Sequence, residues 1–385
     1  MIAPEATIPM DLRYLRPHAR RGDNGPMIVD RFSSFHELEA LESRWRELFA
    51  GDSHANFFLS WEWMSACLAT DRTPWLVLAV RAGDGPYLAF LALNYARFPA
   101  VGPPVNRELY LAGVPRSDYT GMLAVPGEEA RVIPALARYI DALPWDNFTL
   151  NDYADERMTM LVSEFPSRRY AVTVGEPTPC PYIDLPPTWE EYVSSRGVAT
   201  RRTLRAKMRK IEALPGYHFR WVPQEEGPEA VELLLQLNSA RWKKDVKKRR
   251  RIFAELFCRC YASGRFVVAT LYAGETLLAA QGSFVEPSSG TILGYMMGYN
   301  PEYQKLSPGA VLVGLSARHA IEQGLKRYDL ARGGEEYKLS LCNGVHYTNH
   351  TTLTRRGLRV AAVNAGRSGF IAAKGFARTL LRGRP

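Results

Sequence analysis

The sequence has few cysteines, no long apolar run and none of the common nucleotide-binding or ester-hydrolysing motifs. Its five cysteines in 385 residues are few and odd in number, which favours a reducing compartment over a disulfide-stabilised fold. The longest apolar stretches, 75–80 and 87–93, are far shorter than the roughly 18–20 residues that cross a bilayer. No G-x-S-x-G elbow and no Walker loop occurs. We therefore expect neither a membrane-spanning protein nor a P-loop nucleotidase.

The positive charge is concentrated in three segments of the C-terminal half. The chain has 49 Lys and Arg against 40 Asp and Glu, a net charge of +9. Segments 196–210, 241–251 and 355–385 together carry +22, which leaves −13 on the rest of the chain. Because partners respond to local patches rather than to net charge, these segments are candidate docking sites for an anionic partner. The alternative is that they are ordinary solvated helix faces.

The N-terminus does not have the pattern of a secretory signal. Within residues 1–26, arginines follow rather than precede a short apolar patch that proline interrupts. The composition, 46% hydrophobic and 23% charged, is that of a soluble globular protein. We therefore expect a cytoplasmic protein that begins with a flexible tail over residues 1–26.

Periodic patterns predict two α/β halves of similar element order. In the first half, Ser34 and Glu37 form a capping-box signal for a helix to about Phe49. The other elements predicted there are a strand at 27–32, a helix at 61–69, strands at 75–81, 87–97, 108–112 and 119–125, a helix at 128–143 and a strand at 147–151.

A proline-rich segment, 176–187, favours an extended connector and marks the boundary between the halves. We therefore expect an N-terminal lobe over 27–176, a C-terminal lobe over 177–355 and a basic tail over 356–385. The elements predicted in the second lobe are a strand at 182–185, helices at 189–195, 200–214, 228–243 and 250–262, strands at 266–272, 277–285 and 291–299, a helix at 309–323 and a strand at 327–330.

The first motif is a turn between a predicted strand and a predicted helix. Gln304, Ser307 and Gly309 keep the spacing of the Q/R-x-x-G-x-G/A loop with which GNAT-superfamily acyltransferases hold coenzyme A, with serine in place of the first glycine. Such a turn presents free N–H groups at a helix N-terminus, where a pyrophosphate can bind. The candidate donor-binding residues are Gln304, Lys305, Ser307, Pro308 and Gly309.

The second motif, RYDLARGGEEYK at 327–338, makes the resemblance more specific. It resembles the branch of the GNAT superfamily described as CelD-like, or cellulose-biosynthesis, acetyltransferases, which is related to the Fem-type aminoacyl transferases. Further matching residues are Arg241, Trp242, the basic helix from Arg201, Phe57, Ser60, Glu62 and Trp63. The resemblance covers residues 28–355. It implies an α/β fold of two tandem GNAT-like lobes, each a mixed, mostly antiparallel sheet flanked by helices.

The family implies transfer of an acyl group from a carrier to an amine by direct attack, without a metal or a covalent enzyme intermediate. The expected carrier is acyl-CoA, or another acyl carrier, acting as a co-substrate rather than as a permanently bound cofactor. The expected acceptor is a small-molecule or glycan amine, in polysaccharide or cell-envelope biosynthesis. The transferred group is expected to be other than an aminoacyl group.

This chemistry needs a base for the amine, a dipole for the carbonyl oxygen and an acid for the leaving group. Glu335 or Asp329 is the candidate base, and Lys338 the residue that neutralises developing charge or binds an acidic substrate. Tyr337 or Tyr303 is the candidate acid. The candidate substrate contacts are Arg332, Tyr303 and Trp242.

The same residues can instead have purely structural roles. Tyr303 and Tyr337 can pack as ordinary amphipathic aromatics. Asp329 can cap the turn that follows it, and Arg332 can pair with Glu335 to fix the loop.

A metal site is not expected. His346 and His350 are four residues apart, but the threonines and tyrosine around them favour a strand. In a strand this spacing does not make the two-histidine face that a helical H-x-x-x-H motif provides.

Three other functions compete with the acyl-CoA hypothesis. A Fem-like aminoacyl transferase would bind tRNA phosphates at the basic helices 196–210 and 241–251. A transferase that uses acyl carrier protein would meet the acidic surface of that carrier with the same helices. A non-enzymatic assembly factor would sit peripherally at the inner membrane through the basic, amphipathic tail 356–385.

Overall fold

The structure, a computed structural model, describes residues 25–71, 73–98, 106–239, 246–287 and 289–363. Within these residues, fourteen strands form one mixed, mostly antiparallel sheet, and helices cover both of its faces. The remaining residues of the two predicted tails lie outside the described part of the chain.

The N-terminal half alternates helices with an antiparallel meander. A short 3₁₀ helix, Phe57–Leu59, precedes its third α-helix. The elements are β1 (Met27–Phe32), α1 (Phe35–Glu39), α2 (Glu42–Gly51), α3 (Trp61–Thr70), β2 (Trp75–Ala82), β3 (Tyr87–Phe98), β4 (Asn106–Leu111), β5 (Leu123–Ala124), α4 (Glu129–Ala142), β6 (Asn147–Tyr153), α5 (Glu156–Ser163) and β7 (Tyr170–Val174).

The C-terminal half repeats this plan with longer helices. A 3₁₀ helix, Pro301–Leu306, precedes its fifth α-helix. The elements are β8 (Thr178–Asp184), α6 (Trp189–Ser195), α7 (Val198–Glu212), β9 (Tyr217–Trp221), α8 (Gly227–Ser239), α9 (Val246–Ala262), β10 (Phe266–Ala273), β11 (Thr276–Glu286), β12 (Thr291–Tyr299), α10 (Pro308–Glu322), β13 (Arg327–Asp329), α11 (Glu336–Leu341) and β14 (Gly344–Arg355).

Most predicted elements are present, with two corrections in the first half. The capping box forms, because Ser34 accepts the N–H of Glu37 while the Glu37 carboxylate accepts the N–H of Ser34. The helix predicted to run on to Phe49 is broken into α1 and α2. Of the strand predicted at 119–125, only β5 is present. Tyr119 donates its hydroxyl to Asp329 instead, and Thr120 donates to backbone carbonyls of β6. The short elements α5, β7, β9 and α11 were missed.

One long strand, β14, belongs to both halves of the sheet. Its first residues, Gly344 to Thr348, pair with β8 of the C-terminal half. Its last residues, Asn349 to Arg355, pair with β6 and β7 of the N-terminal half. The strand order is therefore continuous from one end to the other: β1-β2-β3-β4-β6-β14-β8-β13-β12-β11-β10-β9.

Aromatic packing joins the two halves. Phe57 stacks on Phe284 of β11 with ring centroids 4.0 Å apart, and Trp63 meets Tyr295 of β12 at 5.5 Å. All four belong to, or pack against, a cluster that also holds Phe257 of α9. This explains the aromatic matches predicted near residue 57, because these side chains form a core shared by both halves rather than a site.

Two strands of the C-terminal half separate and open a cleft. β12 and β13 run parallel and pair over only three residues, Thr291 to Leu293 with Arg327 to Asp329. Beyond Leu293, β12 pairs with β11 alone among the described strands. A β-bulge lies there, because Gly294 and Met296 take consecutive partners on β11 and leave Tyr295 as the extra residue. The edge of β12 facing β13 is consequently open where the cleft begins.

Candidate functional site

The cleft between β12 and the segment after β13 is the candidate active site. Its volume is about 340 Å³, in the range of small-molecule pockets. It brings together four of the predicted site residues, Arg332, Glu335, Tyr337 and Lys338. The other lining residues are Asp118, Asn238, Gln281, Gly294, Tyr295, Met296, Met297, Val313 and Leu330.

Arg332 joins the two halves at the wall of this cleft. Its Nε donates to Oδ1 of Asp118 at 2.7 Å, and its Nη1 donates to Oδ2 of Asp152. Asp152 and Ala331, on the two sides of this contact, both have left-handed backbone conformations, with φ of 59° and 56°. Such conformations cost about 1–3 kcal/mol each and cluster at functional sites, so the surrounding structure must hold them.

Asp118 is the half-buried carboxylate of the cleft. Its side chain is 14% exposed, and burial raises its pKa to about 6 although Arg332 and Lys338 oppose the shift. A carboxyl with a pKa near neutrality can exchange a proton at physiological pH, which is what a general base requires.

Glu335, the residue before the short helix α11, and Lys338 on that helix form a second, more open group. The Lys338 ammonium lies 3.2 Å from Oε2 of Glu335 and donates to the carbonyl of Arg332 at 2.7 Å. The Glu335 side chain is 56% exposed, and Tyr337 is also exposed at the rim of the cleft. The ion pair considered between Arg332 and Glu335 is wrong, since Arg332 bonds Asp118 and Asp152 instead.

Asp329 does not line the cleft. Both of its carboxylate oxygens accept the hydroxyl of Tyr119, at 2.8 and 2.9 Å, and Oδ1 also accepts the N–H of Ala331 at 2.7 Å. It faces a separate cavity together with Glu286 and His346. The capping role considered for Asp329 is therefore present, and the structure does not bring this residue together with the cleft group.

The predicted donor-binding turn lies directly before α10. Ser307 has φ 53° and ψ 51°, the left-handed conformation that glycine usually supplies at such a turn. Pro308 begins the helix, where its missing N–H costs nothing. A Cβ on Gly309 would lie 2.8 Å from Sδ of Met297, so the residue lets α10 approach β12 closely. Gln304 and Lys305 are exposed on the preceding 3₁₀ helix.

The start of α10 and the open edge of β12 both offer backbone donors. No side chain among the described residues caps the N-terminus of α10. Its first N–H groups therefore have no intrahelical acceptor. On β12, Nδ2 of Asn238 donates to the carbonyl of Met297 at 2.7 Å, beside the unpaired edge. Free N–H groups at a helix N-terminus are typical of anion-binding sites, so the turn stays a candidate for one.

Of the other predicted substrate contacts, one lies outside the cleft and one is not among the described residues. Tyr303 is partly buried and packs against the C-terminal core rather than lining the cleft. Trp242 lies outside the described residues, as do the other residues of 240–245.

The predicted basic segments occupy two different helices. The first forms α7, whose Leu204, Met208 and Ile211 are buried while Arg202 and Arg205 are exposed. α7 packs on α10, the helix that starts at the donor turn. Of the second segment, the described part forms the start of α9.

Sequence reasoning missed Asp118, Tyr295, Asn238 and Gln281, although all line the cleft. Asp118 comes from an irregular loop of the other half, so no periodicity or motif spacing connects it to Arg332. The sequence did contain one signal for Tyr295, the glycine that precedes it in a strand, because an isolated strand glycine is typical of a bulge.

The two histidines considered for metal binding lie on a strand, as expected. Both belong to β14. Within the described residues, no group of three or more His, Cys, Asp or Glu side chains is arranged to hold a metal ion. Nor does any helix in that part of the chain have the length and apolarity needed to cross a membrane.

Comparison with known proteins supports an acyltransferase lobe. Residues 199–339 match the family model described as Acetyltransferase (GNAT) domain, a span from α7 to α11 that includes the donor turn and most of the cleft. No curated protein matches the sequence. This match covers 141 of the 385 residues and lies within the C-terminal half.

Solved structures share the whole fold. FemX has a TM-score of 0.55 at 10% identity, over 82% of this chain and 96% of FemX. A conserved protein of unknown function from Bacteroides thetaiotaomicron VPI-5482 has a TM-score of 0.52 at 12% identity, over 86% of this chain and all 100% of that protein. At such identities the likeness concerns the fold alone. The expected fold class, α/β with two tandem GNAT-like lobes, is confirmed.

Proposed function

We propose that the protein is an N-acyltransferase that moves an acyl group from acyl-CoA to an amine acceptor by direct attack. The observation that carries the proposal is the separation of β12 from β13 directly in front of the donor turn, within the stretch that matches the acetyltransferase domain. An acyl carrier can lie along the open strand edge, with its phosphates at the start of α10 and its acyl end in the cleft.

The donor turn fits the pyrophosphate of coenzyme A. Ser307 adopts the conformation of the glycine that it replaces, and Gly309 leaves no side chain between α10 and β12. Lys305 is exposed beside the turn and adds a positive charge. When bound, the thioester supplies an activated carbonyl. The unpaired N–H groups of β12 can hold the carbonyl oxygen while charge develops on it.

Asp118 is the residue we favour as the base that takes a proton from the acceptor amine. It is half-buried in the cleft, its pKa is raised towards neutrality, and Arg332 fixes one of its oxygens. Glu335 is the second candidate, but its side chain is exposed and already pairs with Lys338. Lys338 and Tyr337 remain candidates for stabilising or protonating the leaving thiolate.

An aminoacyl donor is the second candidate function. The shared fold with FemX favours it, as does the basic surface of α7 beside α10, on which tRNA phosphates or an acidic carrier protein could bind. The exclusion of aminoacyl groups expected from the sequence is therefore not retained. The same proposal includes four further predictions from the sequence. These are membership of the CelD-like branch, a role in polysaccharide or cell-envelope biosynthesis, a cytoplasmic location and a lobe boundary near residue 176.

A donor panel tests the proposed function. The full chain is incubated with an amine mixture and with acetyl-CoA, a long-chain acyl-CoA, acylated carrier protein or aminoacyl-tRNA, and products are identified by mass spectrometry. We expect transfer from an acyl-CoA and stabilisation by free CoA that the Ser307→Val variant loses. Transfer from aminoacyl-tRNA alone would favour the second candidate. No transfer from any of the four donors would overturn both.

A further inference from the structure

A groove beside the cleft is lined by one face of α9 and by the other half of the molecule. Its volume is about 840 Å³, against about 340 Å³ for the cleft. Tyr295 lines both, and its hydroxyl donates to the carbonyl of Arg116 at 2.7 Å. The neighbouring carbonyl of Pro115 is the third acceptor of Arg332, at 3.5 Å. The groove and the cleft thus meet at Tyr295, and the carbonyls of Arg116 and Pro115 accept hydrogen bonds from residues of the cleft.

The groove has a net positive charge, because each acidic residue in its lining already lies next to an arginine. On its floor, Arg116 lies 3.5 Å from Asp71 and also donates to Thr70 and to a backbone carbonyl. The acidic Glu255 lies 3.5 Å from Arg259 of the same helix. These contacts account for both acids that line the groove.

Lys248 and Arg251 are cations of the groove that no acidic residue of the described chain neutralises. They are three residues apart on α9, so they lie on the same helix face, and both are exposed at the groove. Neither forms an ion pair with another residue in the described part of the chain, whereas the intervening Arg250 pairs with Glu232. Two such cations on one wall form a site for a phosphate or carboxylate.

Apart from Thr73 and Arg249, which has an interaction of its own, the rest of the lining is apolar and would pack against the body of a ligand. Val114 and Pro115 form one side, and Ile252 and Phe253 of α9 form the other. The groove therefore fits a molecule with an anionic group and an uncharged body. It lies beside Tyr295, whereas the donor turn lies at the far end of β12, before α10.

We propose that this groove binds the acceptor, and that the acceptor is an amine that also carries a phosphate or carboxylate held by Lys248 and Arg251. The proposal rests on the proposed acyl transfer, because it assigns the second substrate of that reaction. An acceptor anion fixed at α9 would direct the amine towards Asp118. Its contribution would weaken as salt screens the contact.

The test compares three amino sugars that differ in their anionic group: glucosamine 6-phosphate, muramic acid and glucosamine. Binding to the full chain is measured by calorimetry without donor, so that the result does not depend on turnover. We expect glucosamine 6-phosphate or muramic acid to bind about tenfold or more tightly than glucosamine, and the preference to shrink with salt. Which of the two binds better distinguishes phosphate from carboxylate.

The double variant Lys248→Glu, Arg251→Glu should abolish this preference. The matched control is Lys247→Glu, an exposed residue of the same helix that does not line the groove, which should keep it. Stabilisation by free CoA should be unchanged in both variants, because the donor turn is not altered. That readout also shows that the variants are folded.

Equal binding of the three sugars, or a preference that survives in the double variant, would overturn the proposal. Loss of carrier-protein or tRNA binding in the double variant, without a preference among the amino sugars, would assign the groove to the donor and also overturn it. Acyl transfer without an anion preference would leave the proposed function intact. Anion binding at α9 without transfer from any donor would retain the anion site and reject the acyltransferase.

Discussion

The Nε of Arg332 lies 2.7 Å from Oδ1 of Asp118, although 214 residues separate the two in the chain. The contact connects the loop after β13 to a loop of the N-terminal lobe at the wall of the cleft. A second carboxylate, that of Asp152, holds the same guanidinium. The candidate site is consequently built from both lobes, and its geometry depends on how they pack.

The first prediction concerns the pH dependence of acyl transfer. Asp118 has a pKa of about 6 because burial disfavours its charged form. A base must be deprotonated, so kcat/KM should rise with pH and level off above about 6. Below that value it should fall about tenfold per pH unit. Initial rates measured from pH 5 to 8 at saturating donor test this.

Two substitutions determine which of the two candidates, Asp118 or Glu335, is the base. Asp118→Asn should lose the inflection near pH 6 and about 10²–10⁴-fold of the rate, the usual contribution of a general base. Glu336→Gln, a neighbouring exposed residue outside the cleft, is the control and should behave as the parent. If Glu335→Gln shows the large loss and Asp118→Asn does not, the base is Glu335.

The second prediction concerns Asp329 and stability. Burial raises its pKa from 3.8 to about 6, so between these values the folded state binds more protons than the unfolded state. The contribution of Asp329 to the free energy of unfolding therefore falls as pH rises through this window. Asp329→Asn, which keeps an acceptor for Tyr119 and Ala331, should stabilise the protein at pH 8 by up to about 3 kcal/mol.

Urea unfolding at pH 5 and pH 8 tests the sign. The advantage of Asp329→Asn over the parent should be smaller at pH 5, where the folded carboxyl is already largely protonated. Asp84→Asn, at a fully exposed position, should change neither value. A variant that is less stable than the parent at pH 8 would show that Asp329 is stabilised as a carboxylate, contrary to this account.

The sequence predicted the elements with strong periodicity and the local motifs, because both depend on neighbouring residues. β12 was predicted with its observed bounds, and the serine at position 307 was recognised as standing for a glycine. Short elements such as α11 were missed, since six residues provide too little periodicity to separate a helix from a loop.

The candidate site could be predicted only in the part that one segment supplies. Arg332, Glu335 and Lys338 lie within seven residues and reach the same cleft. The partners that determine their state come from elsewhere: Asp118 meets Arg332 only because the lobes pack together. Asp329 is only three residues before Arg332, but it ends β13 and lines the separate cavity beside Glu286 and His346.

The third prediction concerns the donor turn. Ser307 has a left-handed backbone, which costs an L-residue roughly 1–2 kcal/mol and glycine almost nothing. Ser307→Gly should therefore keep CoA binding and leave stability unchanged or higher by up to about 1 kcal/mol, after the flexibility of glycine in the unfolded chain is subtracted. Ser307→Val should lose CoA binding and lower the stability of the protein, because a β-branched residue rarely adopts this conformation. Thermal unfolding with and without CoA measures both effects.

The fourth prediction is that the two lobes unfold as one unit. β14 supplies the strand that lies between β6 and β7, so a fragment of residues 27–176 lacks the central partner of both. The same fragment would expose Phe57 and Trp63, which pack on β11 and β12 in the whole protein. Unpaired strand edges and uncovered aromatic side chains both disfavour an isolated fold.

We therefore expect this fragment to be unfolded by circular dichroism, and the full chain to show one cooperative urea transition. The transition should move as a whole in Phe57→Ala, which removes the stacking on Phe284 and should cost about 3–5 kcal/mol. Two separate transitions, of which only one responds to Phe57→Ala, would show instead that the aromatic contact and β14 do not couple the lobes.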